Sequence, residues 1–241
     1  MQNKGDFFFR YRGQIPLFVL FIIIPLTLTS SICLFSQKSA FWMHVFSYLI
    51  IVSGLLMRIH VVGYKAPHTS GRNRHEQVAE SLNVKGLYST TQHPLYMGNF
   101  LIWLGISLQV NRLVFVLGII SFSLFFLYTI IRVEEQFLHS KFGEVYKNWK
   151  DNTPAWWMNP FLFQKSENSF HGIRVLATEY PTWVSVFAGF VLVGILNFVL
   201  GERSHFQITF IVVNVILALL IGFLGRWFKY VLLPNRFKHL S

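Results

Sequence analysis

Long apolar stretches constrain this chain more than any other feature of its sequence. Crossing a bilayer takes about 20 predominantly apolar residues, and such stretches lie at 15–35, 41–62, 94–110, 113–131, 182–200 and 208–227. The chain is 53% apolar and only 13% charged, too poor in charge for an ordinary soluble domain. Helices satisfy their own backbone N–H and C=O groups inside a bilayer. The sequence therefore predicts an all-α, polytopic integral membrane protein with about six transmembrane helices.

Lysine and arginine alternate between the connections that join these stretches. The chain carries 21 Lys and Arg and a net charge of +11, which in a soluble protein would suggest nucleic acid as a partner. All but Lys38, Arg112 and Arg203 lie in the two terminal segments, the 58–92 region or the 132–180 region. Positive residues concentrate in cytoplasmic loops. Both termini and both long polar regions are therefore predicted to be cytoplasmic. The predicted partner of the protein is a lipid bilayer and not a nucleic acid.

The same partition predicts three parts along the chain. Residues 1–63 would hold an N-terminal transmembrane pair, and residues 166–241 a C-terminal pair with a basic tail. Between them, residues 64–165 would form a core of a cytoplasmic loop, a helical hairpin at 94–131 and a cytoplasmic helix. Lys4, Arg10 and Arg12 precede the first apolar stretch as in a signal peptide, but no A-x-A-like cleavage site follows. We therefore expect a retained membrane anchor.

Metal and nucleotide motifs do not stand out in the sequence. Cys33 is the single cysteine, and no two of the nine histidines are closer than seven residues. Metal sites need clustered ligands, so no metal site is predicted. Neither G-x-G-x-x-G nor a P-loop occurs, so no Rossmann domain is expected.

A polar stretch meets an apolar one at residues 86–98, Gly-Leu-Tyr-Ser-Thr-Thr-Gln-His-Pro-Leu-Tyr-Met-Gly. Proline suits the first turn of a helix, and the residue before it avoids the α region. His93 is therefore predicted at a helix entrance, ahead of Pro94. Such an entrance offers unpaired N–H groups and partial positive charge to a polar ligand. The alternative is the plain start of a membrane helix with aromatic residues in an interfacial belt.

A second polar cluster, Arg-Val-Glu-Glu at 132–135, follows the fourth apolar stretch. Little more than Asn111 and Arg112 separates the third and fourth stretches, so they should form a tight hairpin. The cluster would then lie at the same membrane face as His93. Apolar residues at 138, 142 and 146 predict that the helix continues into the cytosol. Ionisable groups at a membrane boundary are costly unless they are paired, hydrated or functional; the alternative is a solvated helix end.

Arg72 and Arg74 form a small basic cluster in the loop before this motif. Guanidinium groups bind phosphate well, and ordinary contact with lipid headgroups is the alternative.

Taken together, these segments resemble the integral-membrane methyltransferases of the isoprenylcysteine carboxyl methyltransferase and phospholipid methyltransferase superfamily. The resemblance covers about residues 64–160 and rests on Gly86-x-Tyr88-x-x-x-x-His93-Pro94-x-Tyr96-x-Gly98 and Glu134-Glu135-x-x-Leu138-x-x-x-Phe142-Gly143-x-x-Tyr146. It implies a site at the cytoplasmic membrane face that binds S-adenosyl-L-methionine without a Rossmann fold. The cofactor-binding residues it implies are Tyr88, His93, Pro94, Leu95, Tyr96, Glu134 and Glu135.

One position departs from the family pattern. The family usually has Arg immediately before His-Pro, and Gln92 stands there in this chain. Glutamine keeps a hydrogen-bonding group but loses the charge and the bidentate fork. An anion-holding role would therefore move to Arg72, Arg74 or Arg132. Arg72, Arg74 and Gln92 are the candidate substrate-binding residues, and Arg132 and His93 are the candidate catalytic residues.

The stretches 69–73 and 80–83 look most like a bacterial branch that methylates the 1-phosphate of Kdo2-lipid A. The resemblance thus implies O-methylation of a lipid phosphate at the cytoplasmic face of the bacterial inner membrane. A phosphate is already anionic near neutral pH, whereas an amine acceptor must first lose a proton to a base. Phosphatidylethanolamine-type N-methylation and isoprenylcysteine-type carboxyl methylation remain alternatives. From other classes, a small transporter or scaffold and an NADPH-binding sterol reductase also remain.

Overall fold

The computed structural model describes residues 11, 14–36, 39–66, 69, 79–201 and 205–232. Within these ranges the chain forms six α-helices: α1 (Ile15–Thr29), α2 (Ala40–Tyr64), α3 (Pro94–Leu108), α4 (Leu113–Asp151), α5 (Gly172–Val199) and α6 (His205–Trp227). Short 3-10 turns lie at Leu87–Ser89 and Pro160–Leu162, and a π turn at Phe228–Leu232 follows α6. The described residues contain isolated β-bridges and no strand. The prediction of an all-α protein is confirmed.

Four helices in the described ranges are long and apolar enough to cross a membrane, rather than the predicted six. They are α2, α4, α5 and α6 with its following turn. Helices α1 and α3 have 15 residues each, which span about 22 Å, short of a hydrocarbon core of about 30 Å. Helix α1 is shorter than the first apolar stretch because Ser30 adopts an extended conformation and ends the helix. Helix α3 is shorter than the third apolar stretch because the chain turns at Asn111, where φ is 52°. The architecture is that of a polytopic membrane protein.

Helix α2 packs closely along α3, and α5 along α6. Two glycines let the backbones of α2 and α3 approach each other. A Cβ added at Gly54 would lie 2.6 Å from the carbonyl oxygen of Gly98, and one added at Gly105 would lie 2.7 Å from that of Ser47. Small residues at crossings are a common basis of helix packing in membranes. This contact fixes the start of α3 against α2.

The predicted hairpin between α3 and α4 is confirmed. Asn111 makes the turn, and its side chain accepts a hydrogen bond from the backbone N–H of Phe35 at 2.9 Å. It also donates one to the carbonyl of Phe35 at 3.1 Å. The segment after α1 therefore covers the hairpin end, and the start of α3 and the far half of α4 lie at the opposite end.

Helix α4 continues without interruption by a loop from Leu113 to Asp151, as the apolar spacing beyond residue 131 predicted. Gly143 interrupts its dihedral pattern with φ 52° and ψ −126°, a conformation that glycine adopts readily. After this break, Tyr146 is 1% exposed. The kink returns the end of the helix toward the segment before α3.

Helix α5 begins at Gly172, ten residues before the predicted start at residue 182. The residues from 172 to 181 include Arg174, Glu179 and Pro181, and a loop was expected there because charged residues seldom enter a membrane helix. Both charged side chains are buried at 1% exposure. Their polar partners, Arg58 on α2 and the carbonyl of Lys65 just after it, allow the helix to begin earlier than composition suggests.

Candidate functional site

The segment 86–93 forms a compact loop that delivers His93 to the start of α3. Gly86 has φ 64°, and a 3-10 turn follows it. Pro94 occupies the first turn of α3, and His93 is its N-cap with φ −129° and ψ 56°. The His93 side chain makes no capping hydrogen bond. The predicted helix entrance is confirmed, and His93 is available for another partner.

Residues at the end of α4 and beyond it hold this loop in place through hydrogen bonds to its backbone. Gly86 donates to the carbonyl of Gln164 at 2.8 Å, and Gln92 donates to that of Pro154 at 2.9 Å. The indole N–H of Trp149 donates to the carbonyl of Tyr88 at 3.0 Å. The two regions singled out in the sequence therefore meet in space, as the hairpin argument predicted.

Gln92 uses its side chain to join the loop to the end of α4. Its Nε2 donates to the carbonyl of Lys150 at 2.9 Å and to that of Thr153. Both amide hydrogens are therefore engaged with the backbone, and the side chain is buried. This geometry leaves Gln92 no N–H group for an anion, so any anion-holding role falls to other residues.

Glu135 lies between two bases of this region. Its Oε2 is 3.0 Å from Nζ of Lys150, and its Oε1 is 3.5 Å from Nε2 of His93. The lysine contact has the length of a charge-assisted hydrogen bond, and the histidine contact is long for one. Glu135 thus connects α4 to the entrance of α3.

Several buried polar atoms around this entrance have no hydrogen-bond partner among the described residues. They are His93 Nε2, Glu134 Oε2, Tyr146 OH, Thr91 Oγ1 and Gln92 Oε1. Leaving such an atom unsatisfied costs about 1–3 kcal/mol, and native proteins usually avoid it. Three of these five atoms belong to residues of the two sequence motifs, His93, Glu134 and Tyr146. Their chemistry, an imidazole nitrogen, a carboxylate oxygen and a phenol, fits a ligand with hydroxyl and amino groups.

The charges of Glu134 and Arg58 both act on the phenol of Tyr88. Burial raises the pKa of Tyr88 well above its ordinary value, and the negative charge of Glu134 raises it further, while Arg58 acts in the opposite direction. The phenol is therefore a neutral hydrogen-bond donor at physiological pH. Tyr96 completes the motif, with its ring centroid 6.1 Å from that of His93.

The remaining candidates lie apart from this cluster or outside the described ranges. Arg132 is exposed, and its guanidinium carbon lies 5.7 Å from the ring centroid of Tyr128. Leu95 is half-buried on the first turn of α3. Arg72 and Arg74 fall outside the described residues. In the described part of the chain, no three His, Cys, Asp or Glu side chains are placed to hold a metal ion.

A buried ion pair was missed by sequence reasoning. Arg58 of α2 donates to both carboxylate oxygens of Glu179 of α5, each at 2.7 Å. Its third nitrogen donates to Oδ1 of Asn99 at 2.7 Å. Gly98 makes room for the Arg58 side chain, since a Cβ at Gly98 would lie 2.8 Å from Cγ of Arg58. The available signal was an arginine inside a stretch otherwise fit to cross a membrane.

Comparison with known protein families gives a match over the part of the chain that contains α2, α3 and most of α4. Residues 42–145 match the model of the phospholipid methyltransferase family. This range includes α2 from residue 42, the loop with Tyr88 and His93, α3, and α4 as far as residue 145. Helices α1, α5 and α6 lie outside it. No curated protein and no solved structure matches the chain. The chain is therefore similar to phospholipid methyltransferases over residues 42–145, less than half of its length.

Proposed function

We propose that this protein transfers a methyl group from S-adenosylmethionine to a membrane lipid, at a site between the start of α3 and the cytosolic half of α4. The observation that carries the proposal is the set of buried atoms of His93, Glu134 and Tyr146 that make no hydrogen bond to a described residue, inside or next to the range that matches the phospholipid methyltransferase family. That family generally uses S-adenosylmethionine.

The polar groups present fit such a cofactor. Glu134 offers a carboxylate oxygen to hydroxyl or ammonium groups. Tyr88, in the turn before α3, offers a neutral phenol as a hydrogen-bond donor. Lys150 already pairs with Glu135, so the charge of Glu134 remains for a cationic ligand. When bound, the cofactor would supply an electrophilic methyl group on a positively charged sulfur. The residues of the site would orient it and exclude water, which are the main requirements of such a displacement.

We further propose a lipid phosphate as the acceptor, with the 1-phosphate of Kdo2-lipid A as the expected substrate. A phosphate oxygen would form the new bond to the methyl carbon with one of its lone pairs. The carbon–sulfur bond would break with its electron pair staying on sulfur, and no proton would have to leave the acceptor. The site would face the cytoplasm of a bacterial inner membrane, as the distribution of lysine and arginine favours.

An amine acceptor is the second candidate, because of His93. Its Nε2 is buried and makes no hydrogen bond to a described residue, and Oε1 of Glu135 lies 3.5 Å from it, near enough to stabilise a protonated imidazole. Such a pair suits a general base that takes a proton from an ammonium headgroup.

Mass spectrometry of total lipids tests these alternatives. A deletion strain is compared with its parent and with strains that express the wild-type chain or the His93→Ala variant. We expect a phosphate-bearing glycolipid to lose the mass of one methylene in the deletion strain and in the variant. A difference confined to phosphatidylethanolamine derivatives would identify a headgroup N-methyltransferase instead. Identical lipids in all strains would contradict lipid methylation and favour a transporter or scaffold.

A further inference from the structure

Arg174 is a buried guanidinium with unused hydrogen-bonding capacity. It lies in the first turn of α5 at 1% exposure. One terminal nitrogen donates to the backbone carbonyl of Lys65, whereas Nε and the other terminal nitrogen have no partner in the described part of the chain. A buried donor left unpaired is costly, and more so when it is charged.

The surroundings of Arg174 are positive. The first turn of α5 contains no acidic residue, and a helix N-terminus itself carries partial positive charge. Lys65, at the end of α2, is 7% exposed. Burial, followed by the charge of Arg174, lowers the pKa of Lys65 to about 8, and Glu179 opposes this shift.

Glu179 is hydrogen-bonded to Arg58 and not to Arg174. Both of its carboxylate oxygens accept hydrogen bonds from Arg58, so its charge is already paired. Among the described residues, Arg174 therefore has no carboxylate of its own. No described residue therefore supplies the anion that this guanidinium calls for.

We infer that Arg174, with Lys65 beside it, binds the phosphate group of the lipid substrate. The free Nε and terminal nitrogen lie on one edge of the guanidinium plane, the arrangement that holds two oxygens of a phosphate in a bidentate contact. A phosphate monoester carries a charge between about −1.5 and −2 near neutral pH, which matches two neighbouring cations. As a substrate site, this inference rests on the proposed methyl transfer.

The position favours a lipid phosphate over a soluble one. Arg174 begins one membrane-crossing helix, and Lys65 follows the end of another, so the site lies at the boundary of the apolar region. Arg58 links α5 to the proposed cofactor site. Arg58 contacts both Glu179 and Asn99, and its charge acts on Tyr88.

Lipid binding by the full-length protein in detergent tests the inference. Native mass spectrometry would compare the binding of phosphatidic acid, a lipid phosphate monoester, with that of phosphatidylcholine. Inorganic phosphate would be tested as a soluble phosphate without a lipid. The variants are Arg174→Met, which removes the guanidinium, and Arg174→Lys, which keeps the charge but loses the fork. Arg226→Met, the same change at an exposed position near the end of α6, is the matched control.

We expect wild type and Arg226→Met to prefer phosphatidic acid. Arg174→Met should weaken this binding about 10- to 100-fold, and Arg174→Lys should lie between them. Without anionic lipid, Arg174→Met should unfold at the same temperature as wild type or higher, because it removes an uncompensated buried charge. A purely structural Arg174 would give the opposite result, a clear fall in unfolding temperature.

Three results would overturn the inference. They are equal phosphatidic acid binding by Arg174→Met and Arg226→Met, a destabilised Arg174→Met in neutral lipid, and tight binding of inorganic phosphate with no lipid preference. Calorimetry with S-adenosylmethionine separates this inference from the proposed function. If wild type binds phosphatidic acid through Arg174 but does not bind S-adenosylmethionine, methyl transfer fails while the phosphate site stands. If it binds S-adenosylmethionine and the Arg174 variants leave lipid binding unchanged, the phosphate site fails alone.

Discussion

The ion pair between Arg58 and Glu179 gives the strongest single prediction about the helix bundle. It joins α2 to α5 through two hydrogen bonds of 2.7 Å, with the residues 8% and 1% exposed. Removing one partner of a buried pair leaves the other charge uncompensated, at a cost of about 3–5 kcal/mol. Arg58→Met or Glu179→Met alone should therefore destabilise the protein by this amount.

The double variant should behave differently from the sum of the single ones. With both charges replaced by apolar side chains of similar length, no buried charge remains, and such replacements are often neutral or stabilising. Asn99 would lose its donor, at a cost of about 1 kcal/mol. The double variant should thus recover most of the loss, and the two substitutions should be strongly non-additive.

Thermal unfolding in detergent measures this effect. For a chain of this size about 1 kcal/mol corresponds to about 2–4 °C, so each single variant should unfold about 6–20 °C below wild type. Glu144 and Lys147 form an exposed pair 3.9 Å apart; replacing both with Met should change little, since exposed pairs contribute about 0–1 kcal/mol. Additive losses in the Arg58 and Glu179 double variant, or single losses no larger than in this control, would refute the pairing.

Three further predictions concern topology, pH and the loop. Reporters fused after Arg112 and after Arg203 should read as periplasmic, which requires the 15-residue α3 to cross the membrane as part of its hairpin with α4; a cytoplasmic signal at either would contradict the orientation. Because the pKa of Lys65 falls from 10.5 unfolded to about 8 folded, the unfolded state binds more protons between these values. Stability should rise with pH across that window, by up to about 3 kcal/mol, and Lys65→Met should abolish this rise. Gln92→Leu should cost about 1–3 kcal/mol in thermal unfolding, whereas Gln136→Leu at an exposed position should cost little.

Local rules predicted the parts of the fold that depend on local sequence. Pro94 predicted the start of α3, and the apolar spacing after residue 131 predicted the long α4. The hairpin turn at Asn111 and Arg112 predicted that the two motifs share one end of the bundle. Each of these inferences used only neighbouring residues and the period of a helix.

The remaining features depend on residues far apart in the chain. Arg58 and Glu179 are 121 positions apart, so neither could be read as half of a buried pair. From the sequence, Arg58 and Glu179 were assigned to the cytoplasmic regions 58–92 and 132–180. The start of α5 before residue 182 was therefore not predicted. Gln92 looked like a weakened anion ligand because its hydrogen bonds to the end of α4 could not be seen in the sequence.

Calorimetric titration with S-adenosylmethionine tests the central claim most directly. Wild type should bind the cofactor, with NADPH giving no signal, and Glu134→Gln should weaken binding by about 1–3 kcal/mol, the scale of a charge-assisted hydrogen bond. Glu144→Gln, a matched change at an exposed position of the same helix, should leave the affinity unchanged. A wild-type protein that binds no S-adenosylmethionine at millimolar concentration, or equal affinities for wild type, Glu134→Gln and His93→Ala, would contradict the claim.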